Sequence, residues 1–293
     1  MTFNDNARID TSKVQRRSGG RRTAMIGGGG ALGVLILFIA SQLLGVDLTP
    51  LSGMVSGGTS GGSGEQTVAL ENCETGADAN EDDQCRMAAA ADSLDRFWAG
   101  QVEGYRVPEV ILYSDYTDSA CGTASAAIGP FYCPADESIY IDTAFFGTLR
   151  SDFGASAGPL AQMYVLAHEW GHHISNITGS LQSVGRDTGP ASGSVRLELQ
   201  ADCYAGAWVR DASTITDDSG VPLMQPVTQS EMADAMNAAE VVGDDYIQRR
   251  SGQQVNADGF THGSSEQRQR WLQTGYRSGA TSCDTFGVSA GEL

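Results

Sequence analysis

The stretch Gly158-Pro-Leu-Ala-Gln-Met163-Tyr-Val-Leu166-Ala-His168-Glu169-Trp170-Gly171-His172-His173-Ile174-Ser-Asn-Ile177 decides how this chain is read. Met163, Leu166, Trp170, Ile174 and Ile177 recur at steps of three and four, which draws one apolar stripe along a helix predicted over about 158–177. Gly179 is a suitable stop. The same stretch contains His-Glu-x-x-His. Residues four apart share a helix face, so His168 and His172 can reach one cation. At about 100° per residue the two histidines point roughly opposite the stripe, so the stripe is expected to face the core and the histidines a cleft. Glu169 lies beside the metal, placed to act as general base.

A catalytic zinc takes three protein ligands and keeps one position open. The metzincin continuation would need glycine at 175 and histidine at 178; Ser175 and Thr178 exclude it. The third ligand is expected to be Glu198, in Arg196-Leu-Glu198-Leu-Gln-Ala-Asp202 on a helix predicted over about 194–211. Asp202 shares its face and is expected to accept a hydrogen bond from a ligand histidine, fixing its tautomer. His173 is turned about 100° from His172 and is expected beside the site or at the surface. His262, just before a helix start near Ser264, is the candidate donor to a developing oxyanion, with Tyr204 and Tyr246 as alternatives.

At this point the chain resembles the bacterial family of predicted neutral zinc metallopeptidases. The residues that carry the resemblance are His-Glu-Trp-Gly-His-His at 168–173, Glu-Leu-Gln-Ala-Asp-Cys-Tyr-Ala-Gly at 198–206, Phe-Thr-His-Gly-Ser-Ser at 260–265 and Gly-Pro-Phe-Tyr-Cys-Pro at 129–134. It spans about residues 71–286. It implies a zincin-type fold, one catalytic Zn2+ with glutamate as third ligand, and a peptide or protein substrate of unspecified identity. The competing expectation is a non-catalytic, zinc-stabilised binding or scaffold protein outside the cytoplasm. A purely structural site needs no Glu169 and usually takes four protein ligands.

The rest of the sequence describes how such a site is carried. Hydrophobic residues are 41% and charged residues 18%, an ordinary globular balance. The net charge is −18, yet residues 1–22 hold six basic and two acidic side chains. The acidic remainder repels nucleic acid, so no nucleic-acid partner is expected. Thr23–Val46 is an uncharged run of 24 residues, enough to cross a bilayer. Arg16, Arg17, Arg21 and Arg22 precede it and Asp47 follows. The expected division is a basic cytoplasmic tail over 1–22, a single transmembrane anchor over 23–46, a Gly/Ser-rich linker over 47–70 and an extracytoplasmic zinc metallopeptidase domain over 71–293.

All six cysteines follow the apolar run, as disulfides in an oxidising compartment would. Proximity favours Cys73–Cys85 and Cys121–Cys133, leaving Cys203–Cys283. Further helices are predicted over about 85–98, from the capping box Thr228-Gln-Ser-Glu231 to about 249, and from about 264. Strands are predicted over 107–113 and 138–142, the second a possible open edge for an extended peptide. The fold class is α+β, helix-rich with a small sheet.

Overall fold

The computed structural model describes residues 2–18, 66–125, 128–185 and 187–293. The anchor expected over 23–46 and most of the linker lie outside them. No helix among the described residues is long and apolar enough to cross a membrane.

Among the described residues the sheet has five strands: β1 (Val14–Ser18), β2 (Gln66–Ala69), β3 (Glu109–Ser114), β6 (Phe131–Cys133) and β7 (Ser138–Asp142), in the order β2-β1-β3-β7-β6. β1, β3 and β7 are parallel to one another, while β2 and β6 run antiparallel at the two ends. A separate hairpin, β4 (Tyr116–Ser119) with β5 (Gly122–Ser125), leads towards β6. Side chains alternate across a strand. Val110 and Leu112 therefore join Ile139 and Ile141 in the main core, whereas Ile111 and Tyr113 join Tyr140 and Phe131 in a smaller cluster.

The expected division fails at its first boundary. Residues 2–18 belong to the same body as the site. β1 pairs with β3 from Val14↔Val110 to Ser18↔Ser114 and with β2 on its other side. Phe3, Ala7 and Val14 are buried. The Asn4 N–H donates to the Leu223 carbonyl at 2.9 Å, and the Arg8 N–H to Asp217 at 2.9 Å. A strand with one apolar anchor between basic residues has no visible periodicity, which is why the segment reads as a tail. Its linker also ends early, because 66–69 is β2.

The helices are α1 (Gly76–Glu81), α2 (Asp83–Ala99), α3 (Phe145–Ser151), α4 (Pro159–Thr178), α5 (Gly193–Asp211), α6 (Gln229–Val241), α7 (Asp244–Arg250) and α8 (Ser265–Ser278). α4 starts on Pro159 and stops at Gly179, whose φ of 94° is the left-handed cap glycine accepts readily. It packs on β6 and β7 and against α2, α5 and α6, so nearly every side of it is covered. The stripe thus faces the core as expected, but the histidine face is buried too. α5 crosses α4 where a Cβ on Gly171 would stand 2.8 Å from Ala201 Cα. α8 lies against α5 just as closely: a Cβ on Gly275 would overlap the Cys203 carbonyl. The three expected disulfides form, with Cys203–Cys283 fixing α5 to the segment after α8.

Two local expectations are corrected. The helix predicted from Thr228 to about 249 breaks at Val242–Gly243, where the Ser265 backbone packs so closely that a Cβ on Gly243 would stand 2.5 Å from it and only glycine fits. The strand 138–142 is no edge over 138–140, where β7 pairs on both sides, while Ile141 and Asp142 pair with β3 alone among the described residues. The edge nearest α4 is β6, paired with β7 alone among the described residues.

Candidate metal centre

α4 presents His168, Glu169 and His172, and α5 presents Glu198; all four are at least nine-tenths buried. The two Nε2 atoms are 3.1 Å apart. His168 Nε2 lies 3.1 Å from Glu198 Oε2, and His172 Nε2 3.4 Å from Glu198 Oε1. Zinc bonds of 2.0–2.1 Å in a tetrahedron separate ligand atoms by about 3.3 Å. The three donors are thus already spaced as three corners around one ion. Glu198 Oε1 has no hydrogen-bond partner among the described residues although it is buried. A buried carboxylate oxygen without a partner is costly, and a cation would satisfy it. The donor set fits zinc.

Behind His168 stands a dense polar cluster. Asp202 Oδ1 accepts from His168 Nδ1 at 2.8 Å and from the Tyr164 hydroxyl at 2.5 Å. The first bond holds one proton on Nδ1, so that Nε2 is the nitrogen that would face a metal once its own proton is displaced. Arg268 on α8 grips both Asp202 oxygens, Nε at 2.8 Å and Nη2 at 3.0 Å. Its Nη2 is also 3.8 Å from Glu198 Oε2. Burial works to raise the Asp202 carboxyl, but the Arg268 charge and then His168 hold it below the usual carboxylate range. For metal-free His168 burial favours the neutral ring, yet Asp202 and Glu198 together raise its pKa to about 9. Burial dominates at Glu169 and raises it, only partly countered by the two histidines. A raised carboxyl is the better base near neutral pH.

His262 closes the opposite wall. The break at Gly243 makes Asp244 the first residue of α7, and its Oδ2 accepts the backbone N–H groups of Thr261 (2.7 Å), His262 (2.7 Å) and Gly263 (3.0 Å). Its Oδ1 is 3.0 Å from His262 Nδ1. Burial disfavours the His262 cation, but Asp244 outweighs it and raises the pKa. His262 Nε2 is buried with no partner among the described residues, and the ring lines one cavity with His168, Glu169 and Glu198.

Tyr204 and Tyr246 are elsewhere: Tyr204 packs edge-on against Trp98, and the Tyr246 hydroxyl donates to the Phe153 carbonyl at 2.8 Å. His173 is neither beside the zinc donors nor at the surface. It is fully buried between the Tyr132 hydroxyl (3.1 Å) and the Arg106 carbonyl (2.6 Å), tying α4 to β6. The sequence reading missed Tyr164, Asp244 and Arg268. A signal existed for Arg268, which sits three and four residues before Trp271 and Leu272 and so shares their buried face.

The family model described as "Putative neutral zinc metallopeptidase" matches residues 3–286. The chain belongs to this family. The match begins within the N-terminal segment that the fold also includes. The uncharacterized protein Rv2575 of Mycobacterium tuberculosis is 46% identical over 223 residues, covering 75% of this chain and 76% of its own. The uncharacterized protein YpfJ of Escherichia coli K12 is 34% identical over 283 residues, covering 92% and 91%. No solved structure matches.

Proposed function

We propose that this chain is a zincin-type peptidase that hydrolyses peptide bonds with one zinc ion held by His168, His172 and Glu198. The observation that carries the proposal is the unliganded Glu169 within one turn of both histidines, in the same cavity as His262. A structural site has no use for either. Bound zinc would polarise the scissile carbonyl and acidify water. Glu169 takes the proton from the attacking water and passes it to the leaving amine. His262, held in orientation by Asp244, points its Nε2–H at the oxygen where negative charge develops. Asp202 keeps the His168 proton on Nδ1. Arg268 and Tyr164 hold Asp202 in place.

The uncharged run 23–46 supports attachment to a membrane. The disulfides support an oxidising, extracytoplasmic side for the domain. In the test, purified wild type and Glu169→Gln are assayed for zinc content and for cleavage of a peptide library. The proposal expects about one zinc in each and cleavage by the wild type alone. Equal cleavage by both would overturn the mechanism, and a wild type that binds zinc but cleaves nothing would favour the scaffold.

A further inference from the structure

The cavity beside the zinc donors is lined by two unlike sets of residues. One is the polar wall of His168, Glu169, Glu198 and His262. The other is apolar: Phe145 and Leu149 from α3, Val165 from α4, Ala238 and Val242 around the end of α6, and Ile247 from α7. Leu149 and Ala238 are fully buried, so this wall belongs to the core and is not a shallow surface patch. Val165 stands three and four residues before His168 and Glu169, one turn away on the same helix face. A substrate carbonyl set between Glu169 and His262 therefore places a neighbouring side chain against these six residues.

We infer that this wall is a specificity pocket for one aliphatic side chain of valine to leucine size, next to the scissile bond. The inference rests on the peptidase reading. The whole cavity, its polar wall included, is about 80 Å³, so the apolar part is smaller. An engineered apolar cavity of roughly 150 Å³ holds benzene, so this one takes a branched aliphatic group and is too small for an aromatic ring. Arg268 and Tyr164 also line the cavity, but both are engaged by Asp202, so a charged side chain set against the apolar residues would lie there without a free partner, at a large desolvation penalty.

The test has a binding arm and a cleavage arm. Peptide hydroxamates carrying leucyl, phenylalanyl or glutamyl side chains compete for the zinc-loaded protein, and cleavage sites in a peptide library are mapped by mass spectrometry. Leucyl should lead by about 10- to 200-fold, the range for a small misfit in an apolar pocket. Leu149→Ala should turn the preference towards phenylalanyl, and Ala238→Val towards alanyl, with zinc content unchanged. Cleavage without aliphatic preference overturns the pocket and leaves the peptidase standing. Leucyl-selective binding without cleavage does the reverse. Should a variant fail to fold, the wild-type profile alone decides.

A second inference stands on β1 and needs no catalysis. β1 lies between β2 and β3 in one sheet, while the uncharged run falls in the chain between β1 and β2. Ladder bonds join strands about 4.8 Å apart and cannot reach across roughly 30 Å of hydrocarbon. Two of the basic residues in this segment, Lys13 and Arg17, also have partners in the body. Lys13 is 2.7 Å from Asp10, 3.3 Å from Asp95 and 3.5 Å from Asp92, and Arg17 donates to the Asp118 carbonyl at 2.9 Å. We propose that residues 2–18 lie on the same side of the membrane as 66–293, in place of the cytoplasmic N-terminus that the charge pattern implies. Tags at the two ends, probed with protease in intact spheroplasts, should be cut or protected together. Gln15→Pro, which removes a ladder donor from an interior strand, should lower the melting temperature of the domain. Opposite-sided tags, or an unchanged domain in Gln15→Pro, would overturn it.

Discussion

Gly171, between the two histidines of the motif, sets how closely α5 can bring Glu198 to them. A Cβ there would meet Ala201 Cα at 2.8 Å, Ala201 O at 3.0 Å and Ala201 Cβ at 3.1 Å, against ordinary contacts of 3.4–4 Å. Gly171→Ala must therefore part the helices by roughly 0.6–1.2 Å, since packed interiors have no slack to absorb it. Zinc sites tolerate errors of only about 0.2 Å in ligand distance. Overpacking of this kind costs about 1–3 kcal/mol, or roughly 2–12 °C in melting temperature for a domain of this size. Zinc affinity, measured by chelator competition, should fall about 10- to 100-fold, the range seen when ligand placement is disturbed. Adding Ala201→Gly should rescue little, because the two nearest atoms are backbone. The reasoning is refuted if Gly171→Ala keeps wild-type zinc affinity and melting temperature, or if Ala201→Gly restores both.

Arg268→Met strands the Asp202 charge in the core, at a cost of about 3–5 kcal/mol; chemical denaturation should show it, and wild-type stability would contradict the role given to Arg268. His262 needs its proton to donate, and its pKa is raised by Asp244, so activity should fall as pH rises through that value. Asp244→Asn should move this alkaline limb to lower pH and reduce kcat on the order of 10²-fold; an unmoved limb would assign it to another group. In the metal-free protein the raised His168 pKa contributes stability that is full below about 6.5 and lost as pH rises through about 9. Zinc must displace that proton, so calorimetry at pH 7 in buffers of different ionisation enthalpy should show proton release on zinc binding, and none would refute the protonated state.

The sequence by itself determined the motif-bearing helix, its stop at Gly179, the grouping of His168, His172 and Glu198 and the α+β class, and proximity favoured the cysteine pairing that the structure shows. These are local matters: a helix turns 100° per residue whatever surrounds it, so four-residue spacing fixes which side chains share a face. Glu198 with Asp202 was legible for the same reason. Only the tertiary structure decided what meets that face. Arg268 lies 66 residues from Asp202, and Asp244 lies 18 from His262; no period links such partners. β1 was hidden because a single anchor, Val14, among charges carries no pattern, and its identity as a strand comes entirely from the neighbours that pair with it. Helix propensity carried the reading straight through Gly243, where the helix ends, Ser265 packs closely and Asp244 reaches the turn it holds. Local geometry named the candidate ligands and Asp202, and packing over long sequence distances supplied Arg268 and Asp244, which hold Asp202 and His262 in place.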